Sequence, residues 1–207
     1  MAGPLMSITN YSELQTAIAN WLHRDDLTSK IKDFIALAES RMNGDLSARE
    51  MESRTTVTTM ASNAYVSMPS DLLEIRRIAL QTNPTRVLKY ATPDEIQQDF
   101  GYSDVTGQPV VFSVIGTQIQ LAPIPDDAYN IELSYCQRIP ALSDSNTSNW
   151  LLTLYPDAYL YAALCEAQPY IVNDARVAVF EQRYRTAVEN INAIDWYTGT
   201  TMRVRAT

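Results

Sequence analysis

The strongest feature of the hydrophobic pattern is the segment 149–171, which is apolar at almost every position. Pro156 suits the first residue of a helix, because its missing N–H would be unpaired there in any residue. The following Asp157 places a carboxylate in the positive first turn. From 158 to 167 only Glu166 is charged. The pattern therefore predicts a helix that is covered on all sides, by other helices of the chain or by a neighbouring subunit.

Apolar residues at helical spacing also predict helices towards both ends of the chain. The first is short, amphipathic and capped within 9–12, and it ends near His23. The second begins after Asp25 and either ends at Gly44 or continues towards Met51, because a glycine inside a helix costs only about 1 kcal/mol. Its apolar stripe comprises Ile31, Phe34, Ile35, Ala38 and Met42, with Lys30, Lys32, Asp33, Glu39 and Arg41 mostly off the stripe. After a cap at Asn173–Asp174, the last helix carries Val177, Phe180, Tyr184, Val188 and Ile191 on one face.

Between these helices the period changes to that of β-strands. The predicted strands are a hairpin of 54–60 with 64–68, then 72–80, 85–90, 110–115, 117–121 and 129–139, with Ile131, Leu133 and Tyr135 on one face of the last. Residues 92–95 form a capping box that opens a short helix to Phe100, and Pro169 is expected to close the apolar helix.

The order of helices, strands and helices predicts an α+β fold. Its main part is a helical bundle built from both ends of the chain, 8–53 and 140–197. An antiparallel β-rich module, 54–139, is inserted between them, and 198–207 is an extended C-terminal tail.

The chain has 207 residues and a net charge of −8, which argues against a protein that holds nucleic acid by charge. No apolar run reaches the roughly 18–20 residues of a membrane span, and the first residues lack the pattern of a signal peptide. Without an export signal, Cys136 and Cys165 are expected to be buried free thiols, although a disulfide is possible in principle.

Candidate catalytic groups are sparse. His23 is the only histidine and stands at a predicted helix end, so neither a His-rich metal cluster nor a His-pair mechanism can form within one chain. The six glycines are scattered, which excludes a phosphate-cradling loop. The adjacent carboxylates 25–26 and 126–127 are expected to cap a helix and to shape a turn. We predict no catalytic, cofactor-binding or metal-binding residue. The alternative hypothesis of an enzyme would need a pocket where scattered carboxylates such as Asp71, Glu74 or Asp157 converge.

The twelve tyrosines and three tryptophans have two interpretations. They pack in the core with their polar groups at the surface, or some of them face another subunit, since both residue types are enriched at interfaces. The residues assigned to a subunit interface under the second interpretation are Trp150, Tyr155, Tyr159 and Tyr161.

Several runs together carry a family resemblance. They are Trp21–Thr28, Phe34–Asn43, Arg49–Glu52, Pro69–Glu74, Leu121–Pro125, Pro140–Asp144, Asn149–Leu152 and Tyr155–Tyr161. In this order they resemble the head-to-tail adaptor (connector) proteins of tailed bacteriophages, of the podophage type. The resemblance covers about 11–195, and Gly44 departs from the helix-favouring residue expected at its position.

The resemblance implies a non-enzymatic virion protein of the neck or tail, assembled in the host cytoplasm. It would form a homo-oligomeric ring, typically of twelve copies, below the portal protein, and would carry a tail or nozzle protein and tail fibres. Double-stranded DNA would pass through its channel without specific binding, and no cofactor or membrane is implied. An acidic wall suits such passage, because negative side chains repel DNA.

The Arg-containing tail is assigned to portal docking, the alternative being a disordered end. Its proposed portal-binding residues are Trp196, Tyr197, Met202, Arg203 and Arg205. An assembly factor absent from the finished particle, or a soluble protein-binding module, is the alternative function.

Overall fold

The computed structural model describes residues 8–101, 105–170 and 176–195. The fold is α+β. The chain divides into two compact units. Met51–Arg138 forms the strand-rich unit, and the chain on either side of it forms the helical unit. The sequence pattern predicts that the strand-rich unit begins at 54 and ends at 139.

The helical unit contains five α-helices and two 3-10 turns among its described residues. In chain order they are α1 (Tyr11–Leu22), a 3-10 turn (Asp25–Lys30), α2 (Ile31–Asp45), α4 (Trp150–Leu154), α5 (Pro156–Glu166), a 3-10 turn (Gln168–Tyr170) and α6 (Val177–Asp195). A further 3-10 turn, Arg49–Met51, leads into the strands.

The first two helices are set by their caps and apolar stripes. The side chain of Asn10 accepts a hydrogen bond from the backbone of Glu13, and His23 ends α1 in the left-handed conformation, with φ of 52°. This confirms the predicted first helix. The predicted stripe of α2 is buried. α2 includes Gly44 and ends at Asp45, so the helix does not continue towards Met51. Glu39 was placed off the stripe, and that was wrong, because its side chain is buried with the stripe.

The apolar segment is two helices. Tyr155 ends α4 and precedes α5 with a non-helical backbone, φ −137° and ψ 61°, so that Pro156 is the first residue of α5 as predicted. The helix ends at Glu166, and Pro169 lies in the 3-10 turn that follows. α5 packs against α1, α2, α4 and α6. Its alanines and leucines are buried, as the all-round apolar pattern predicts.

The described residues of the strand-rich unit form eight strands and one helix. They are β1 (Glu52–Thr58), β2 (Tyr65–Ser67), β3 (Leu72–Leu80), β4 (Arg86–Val87), β5 (Lys89–Tyr90), α3 (Pro93–Phe100), β6 (Val111–Ile115), β7 (Gln118–Ala122) and β8 (Asn130–Gln137). Sheet A has the order β1-β8-β3-β4, and sheet B has the order β2-β7-β6-β5.

The core of this unit is formed by side chains of both sheets. Ile131, Leu133 and Tyr135 lie on one face of β8 as predicted and pack with residues of sheet B such as Ile119 and Leu121. β6 and β7 form a tight hairpin that turns at Gly116, where φ is +59° and a side chain would be strained. Helix α3 packs against β6, and the predicted capping box at its start is present.

The predicted hairpin of 54–60 with 64–68 is wrong. β1 pairs with β8 in sheet A, while β2 pairs with β7 in sheet B. The predicted strand 85–90 is likewise divided, because β4 belongs to sheet A and β5 to sheet B. All neighbouring strands are antiparallel except β5 and β6, which pair in parallel over two residues.

Cys136 and Cys165 are buried free thiols, as predicted. Burial raises the pKa of Cys136 and raises that of Cys165 to about 12, so both are held as protonated thiols near neutral pH. Of the helices that the structure describes, none is both long enough and apolar enough to cross a membrane. The predicted cap at 173–174 lies outside the described residues.

Candidate interaction surfaces

The buried carboxyl group of Glu39 organises the polar centre of the helical unit. Its Oε1 accepts hydrogen bonds from the backbone N–H of Leu142, at 2.7 Å, and from the hydroxyl of Tyr159, at 3.1 Å. Burial raises the pKa of Glu39 above its usual value, although these two hydrogen bonds act in the opposite direction. The interaction joins α2, α5 and the segment that precedes α4.

Two asparagines complete this network. Asn149 donates to the hydroxyl of Tyr159 at 2.6 Å and to the carbonyl of Pro140 at 2.7 Å, while its own oxygen caps α4 through the N–H of Leu152. Asn43 accepts from the backbone N–H of Ile139 at 2.8 Å. The segment from 139 to 149, which the sequence presents as a polar loop, is therefore held by the buried side chains of Glu39 and Asn149 and the half-buried side chain of Asn43.

Arg41 connects three helices from one half-buried position on α2. Its guanidinium lies 2.7 Å from Glu181 on α6, 3.6 Å from Glu166 on α5 and 3.5 Å from Asp45 on its own helix. It also lies over the ring of Tyr184, 4.4 Å from the ring centre. The hydrogen bond from Arg41 lowers the pKa of Glu181, so that this carboxyl stays charged. Such a shared cation fixes the relative positions of α2, α5 and α6.

An aromatic cluster joins α1, α5 and α6. Trp21 meets Tyr161 and Phe180 edge to face, with ring centres 6.0 Å apart in each case, and Tyr161 stacks on Phe180 at 6.4 Å. Trp21 is 40% exposed although its neighbour Phe180 is buried. The guanidinium of Arg183 covers the ring of Tyr161 at 5.7 Å. The cluster thus continues the apolar interior to the surface.

The four residues predicted for a subunit interface differ in their environments. Tyr159 is fully buried and hydrogen-bonded within its own chain, so it acts inside the unit and offers no surface to a neighbour. Trp150, Tyr155 and Tyr161 are half-buried. The indole N–H of Trp150 is buried without a hydrogen-bond partner among the described residues. Beside Tyr155, Leu154 is 54% exposed, which adds apolar surface that the sequence did not single out.

The predicted portal-binding residues Trp196, Tyr197, Met202, Arg203 and Arg205 lie outside the described residues.

Of the carboxylates considered for catalysis, two have partners within the strand-rich unit, and the third belongs to the helical unit. Asp71 accepts from the hydroxyl of Tyr135, and Glu74 pairs with Arg76 at 3.2 Å. Asp157 belongs to the helical unit and is exposed, whereas Asp71 and Glu74 belong to the strand-rich unit. Within the described ranges, no group of three or more His, Cys, Asp or Glu side chains is arranged to hold a metal ion.

The remaining candidate positions are explained by local geometry. His23 is exposed at the end of α1. Asp26 binds the guanidinium of Arg24 through two hydrogen bonds of 2.6 and 2.7 Å, at the start of the 3-10 turn Asp25–Lys30. The helix cap predicted for the pair 25–26 stays a prediction. Asp127 accepts from the backbone of Ala128, and Asp126 accepts from Tyr129, which confirms that this pair shapes a turn.

A surface groove of about 730 Å³ opens in the strand-rich unit. One wall is the first part of β3, and the other comes from the sheet B residues Phe112 and Val114, with Val87 and Tyr90 at one end. Val87, Tyr90 and Val114 are exposed large apolar residues. Sequence reasoning missed this groove, because its walls come from strands whose pairing is set by distant parts of the chain.

Residues 9–205 match the family model of the SU10 adaptor protein. None of the curated proteins compared with the chain matches it significantly. The family match covers nearly the whole sequence and includes both units. The chain therefore belongs to the SU10 adaptor protein family and is a phage adaptor protein.

Proposed function

We propose that this protein forms a ring between the portal protein and the tail of the phage, lines the DNA channel, and provides the platform to which tail components attach. The observation that carries the proposal is the family match over residues 9–205. The ring has twelve copies, stands in the virion neck after assembly in the host cytoplasm, and belongs to the podophage type. A nozzle or tail protein and tail fibres bind on the side away from the portal.

The helical unit, a bundle closed by both ends of the chain, supplies the contacts between copies. The half-buried Trp150, Tyr155 and Tyr161 lie at this interface, together with the exposed parts of Trp21 and Leu154. Aromatic side chains of this kind bury a large area at little cost in conformational entropy. Tyr159 supports the interface from inside, by fixing the segment before α4 through Glu39 and Asn149.

The net charge of −8 supports the assignment to a channel wall. Twelve such copies repel the phosphate backbone and leave DNA free to move during ejection. The part of the chain after Asp195 carries Arg203 and Arg205 without an acidic residue. We assign it to the portal, where the arginines meet carboxylates while Trp196, Tyr197 and Met202 occupy apolar pockets.

The ring is tested by mixing the purified protein with purified portal rings and examining the product by mass photometry and negative-stain microscopy. A twelve-fold ring on the portal is the expected result, and a monomer in the absence of portal is compatible with templated assembly. Failure to bind the portal at micromolar concentrations of both proteins would contradict the proposal.

Docking by the tail is tested with a chain truncated after Tyr197. We expect portal binding to fall by at least about tenfold, since removal of several anchor residues costs more than about 1.4 kcal/mol. The matched control replaces Arg203 and Arg205 with lysine, which keeps the charge. Unchanged binding of the truncated chain would exclude docking by this segment.

Proteomics of purified particles separates an adaptor from an assembly factor. An adaptor stays in the particle in fixed proportion to the portal protein, whereas an assembly factor is lost on purification.

A further inference from the structure

Sheet A has two unpaired strand edges, one at each side. β1 pairs with β8 along all seven of its residues, and among the described residues no strand pairs with its other edge. β3 pairs with β8 from Leu72 to Leu80, with two register shifts, but β4 covers β3 only at Ala79 and Leu80. The part of β3 from 72 to 77 therefore has a free edge as well. Free edges present unpaired N–H and C=O groups, which readily bind another strand.

The burial of β3 changes where β4 stops. Ile78, Ala79 and Leu80, beside β4, are almost fully buried. Leu72 and Ile75, further along the uncovered part, are only half-buried although they pack against the core of the unit. The same uncovered part forms a wall of the groove. An additional strand at this edge would cover these apolar side chains and satisfy the backbone groups together.

The two edges carry complementary charges. Glu52 and Arg54 are exposed at alternate positions of β1, and Glu74 and Arg76 are exposed at alternate positions of β3. If β1 of one copy lies beside β3 of another with an offset of two residues, Arg54 of the first copy lies beside Glu74 of the second. The existing partners of these residues within one copy compete only weakly, because Arg54 lies 3.6 Å from Glu132 and is 71% exposed.

The geometry points to strand pairing between copies: we propose that the β1 edge of one copy binds the uncovered β3 edge of the next, so that sheet A continues around the ring. β1 and β3 both run antiparallel to β8 and hence parallel to each other. A sheet that continues in one orientation therefore pairs β3 with the neighbouring β1 in parallel. The inference rests on the ring proposed above and adds a second interface to it, in the strand-rich unit.

The two edges are different surfaces at opposite sides of one sheet, so each copy offers one of each. Contacts of this heterologous kind generate rings, whereas pairing of two identical edges would stop at a dimer. The other strands at sheet edges, β2, β4 and β5, have three residues or fewer and offer little backbone for pairing. Of the strands that lie at sheet edges in the described part of the chain, β1, with seven residues, is long enough to cover residues 72–77.

Hydrogen exchange of the unmodified protein tests the pairing directly. Amide exchange is measured by mass spectrometry in the free protein and in the ring assembled on purified portal rings. We expect exchange to slow by about tenfold or more at both 52–58 and 72–77, because new backbone hydrogen bonds protect amides. The edge strand Tyr65–Ser67 of sheet B is the internal control and is expected to stay unchanged.

Cross-linking tests which residues meet. The double variant Arg54→Cys/Glu74→Cys, treated with a short bismaleimide linker on the assembled ring, should give a ladder of covalent multimers. Each single variant should give none beyond background, and the matched control Ser67→Cys/Glu74→Cys should not form the ladder. The native cysteines are buried and do not compete.

A ring that assembles without protection at both edges, or in which the control pair cross-links equally well, would overturn the strand pairing and leave the ring itself intact. If no ring forms on the portal, the proposed function fails first, and the pairing is overturned with it. Protection at both edges together with the specific ladder supports the proposal.

Discussion

The hydroxyl of Tyr159 donates a 3.1 Å hydrogen bond to Oε1 of Glu39, across the contact between α5 and α2. The same oxygen accepts from the backbone of Leu142, and Asn149 donates to the hydroxyl. A buried carboxyl and a buried phenol thus satisfy each other in the centre of an otherwise apolar unit. Buried polar groups that lose such partners cost more free energy than the hydrogen bond itself contributes.

Replacement of Glu39 by alanine should lower the free energy of unfolding by about 2–4 kcal/mol, because Leu142 and Tyr159 lose their acceptor in a buried site. Tyr159→Phe should cost about 1–2 kcal/mol, since Asn149 still donates to Pro140. Urea unfolding monitored by circular dichroism measures both. Glu189→Ala, at an exposed position of α6, is the control, and an equal loss in that variant would contradict the assignment.

The raised pKa of Glu39 predicts a specific dependence of stability on pH. Burial raises the folded-state pKa above its unfolded value near 4.5, so the folded state binds the proton more tightly. This contribution is fully present below the unfolded pKa and is lost as the pH rises through the folded pKa. Relative to Glu39→Gln, the wild-type protein should therefore lose stability as the pH rises above the unfolded pKa of Glu39 near 4.5. A difference between the two proteins that does not change with pH would show that Glu39 titrates normally.

Arg41 should contribute far more to stability than its exposed neighbour Arg185. Arg41→Met removes contacts to Glu181, Glu166 and the ring of Tyr184, and should cost about 1–3 kcal/mol. Arg185 also pairs with Glu181 but is 71% exposed, so Arg185→Met should change stability by no more than about 0.5 kcal/mol. Equal effects in thermal unfolding would show that the cluster around Arg41 is not cooperative.

Two glycine substitutions should act in opposite directions. Gly44 lies inside α2 with open space around the position of a side chain, so Gly44→Ala should stabilise the protein by about 0.5–1 kcal/mol. Gly116 has φ of +59° in the β6–β7 turn, so Gly116→Ala should destabilise it by about 1 kcal/mol. Denaturant midpoints of both variants check the signs, and a loss of stability in Gly44→Ala would contradict an open helical position at this residue.

The helices were predictable because their signals are local. Asn10, Thr92 and Pro156 mark helix starts within a few residues of sequence, and each marks one in the structure. The short helix α4 before Tyr155 was not predicted, because an apolar run gives no sign that it contains two helices.

The strand segments were predictable in position but not in pairing. The Thr-rich β1 has the composition of a strand, yet its partner β8 follows more than seventy residues later, and nothing in β1 specifies it. The short segment 61–63 between β1 and β2 therefore gave a false hairpin signal. The assignment of β4 to sheet A and of β5 to sheet B, with the change at Leu88, likewise depends on tertiary packing.

Glu39 was missed for a different reason. It lies four residues after Ile35 and three before Met42, which places it on the buried stripe by helical spacing. Its charge alone argued for the surface. The two donors that make its burial tolerable, the hydroxyl of Tyr159 and the backbone N–H of Leu142, are more than a hundred residues away in the sequence.

The pairing of β1 with β8 has a consequence for how this protein can evolve. Glu52 and Cys136 are register partners, so the chain enters and leaves the strand-rich unit about 5 Å apart. A gene could gain, lose or exchange that whole insertion while the flanking helices keep their junction.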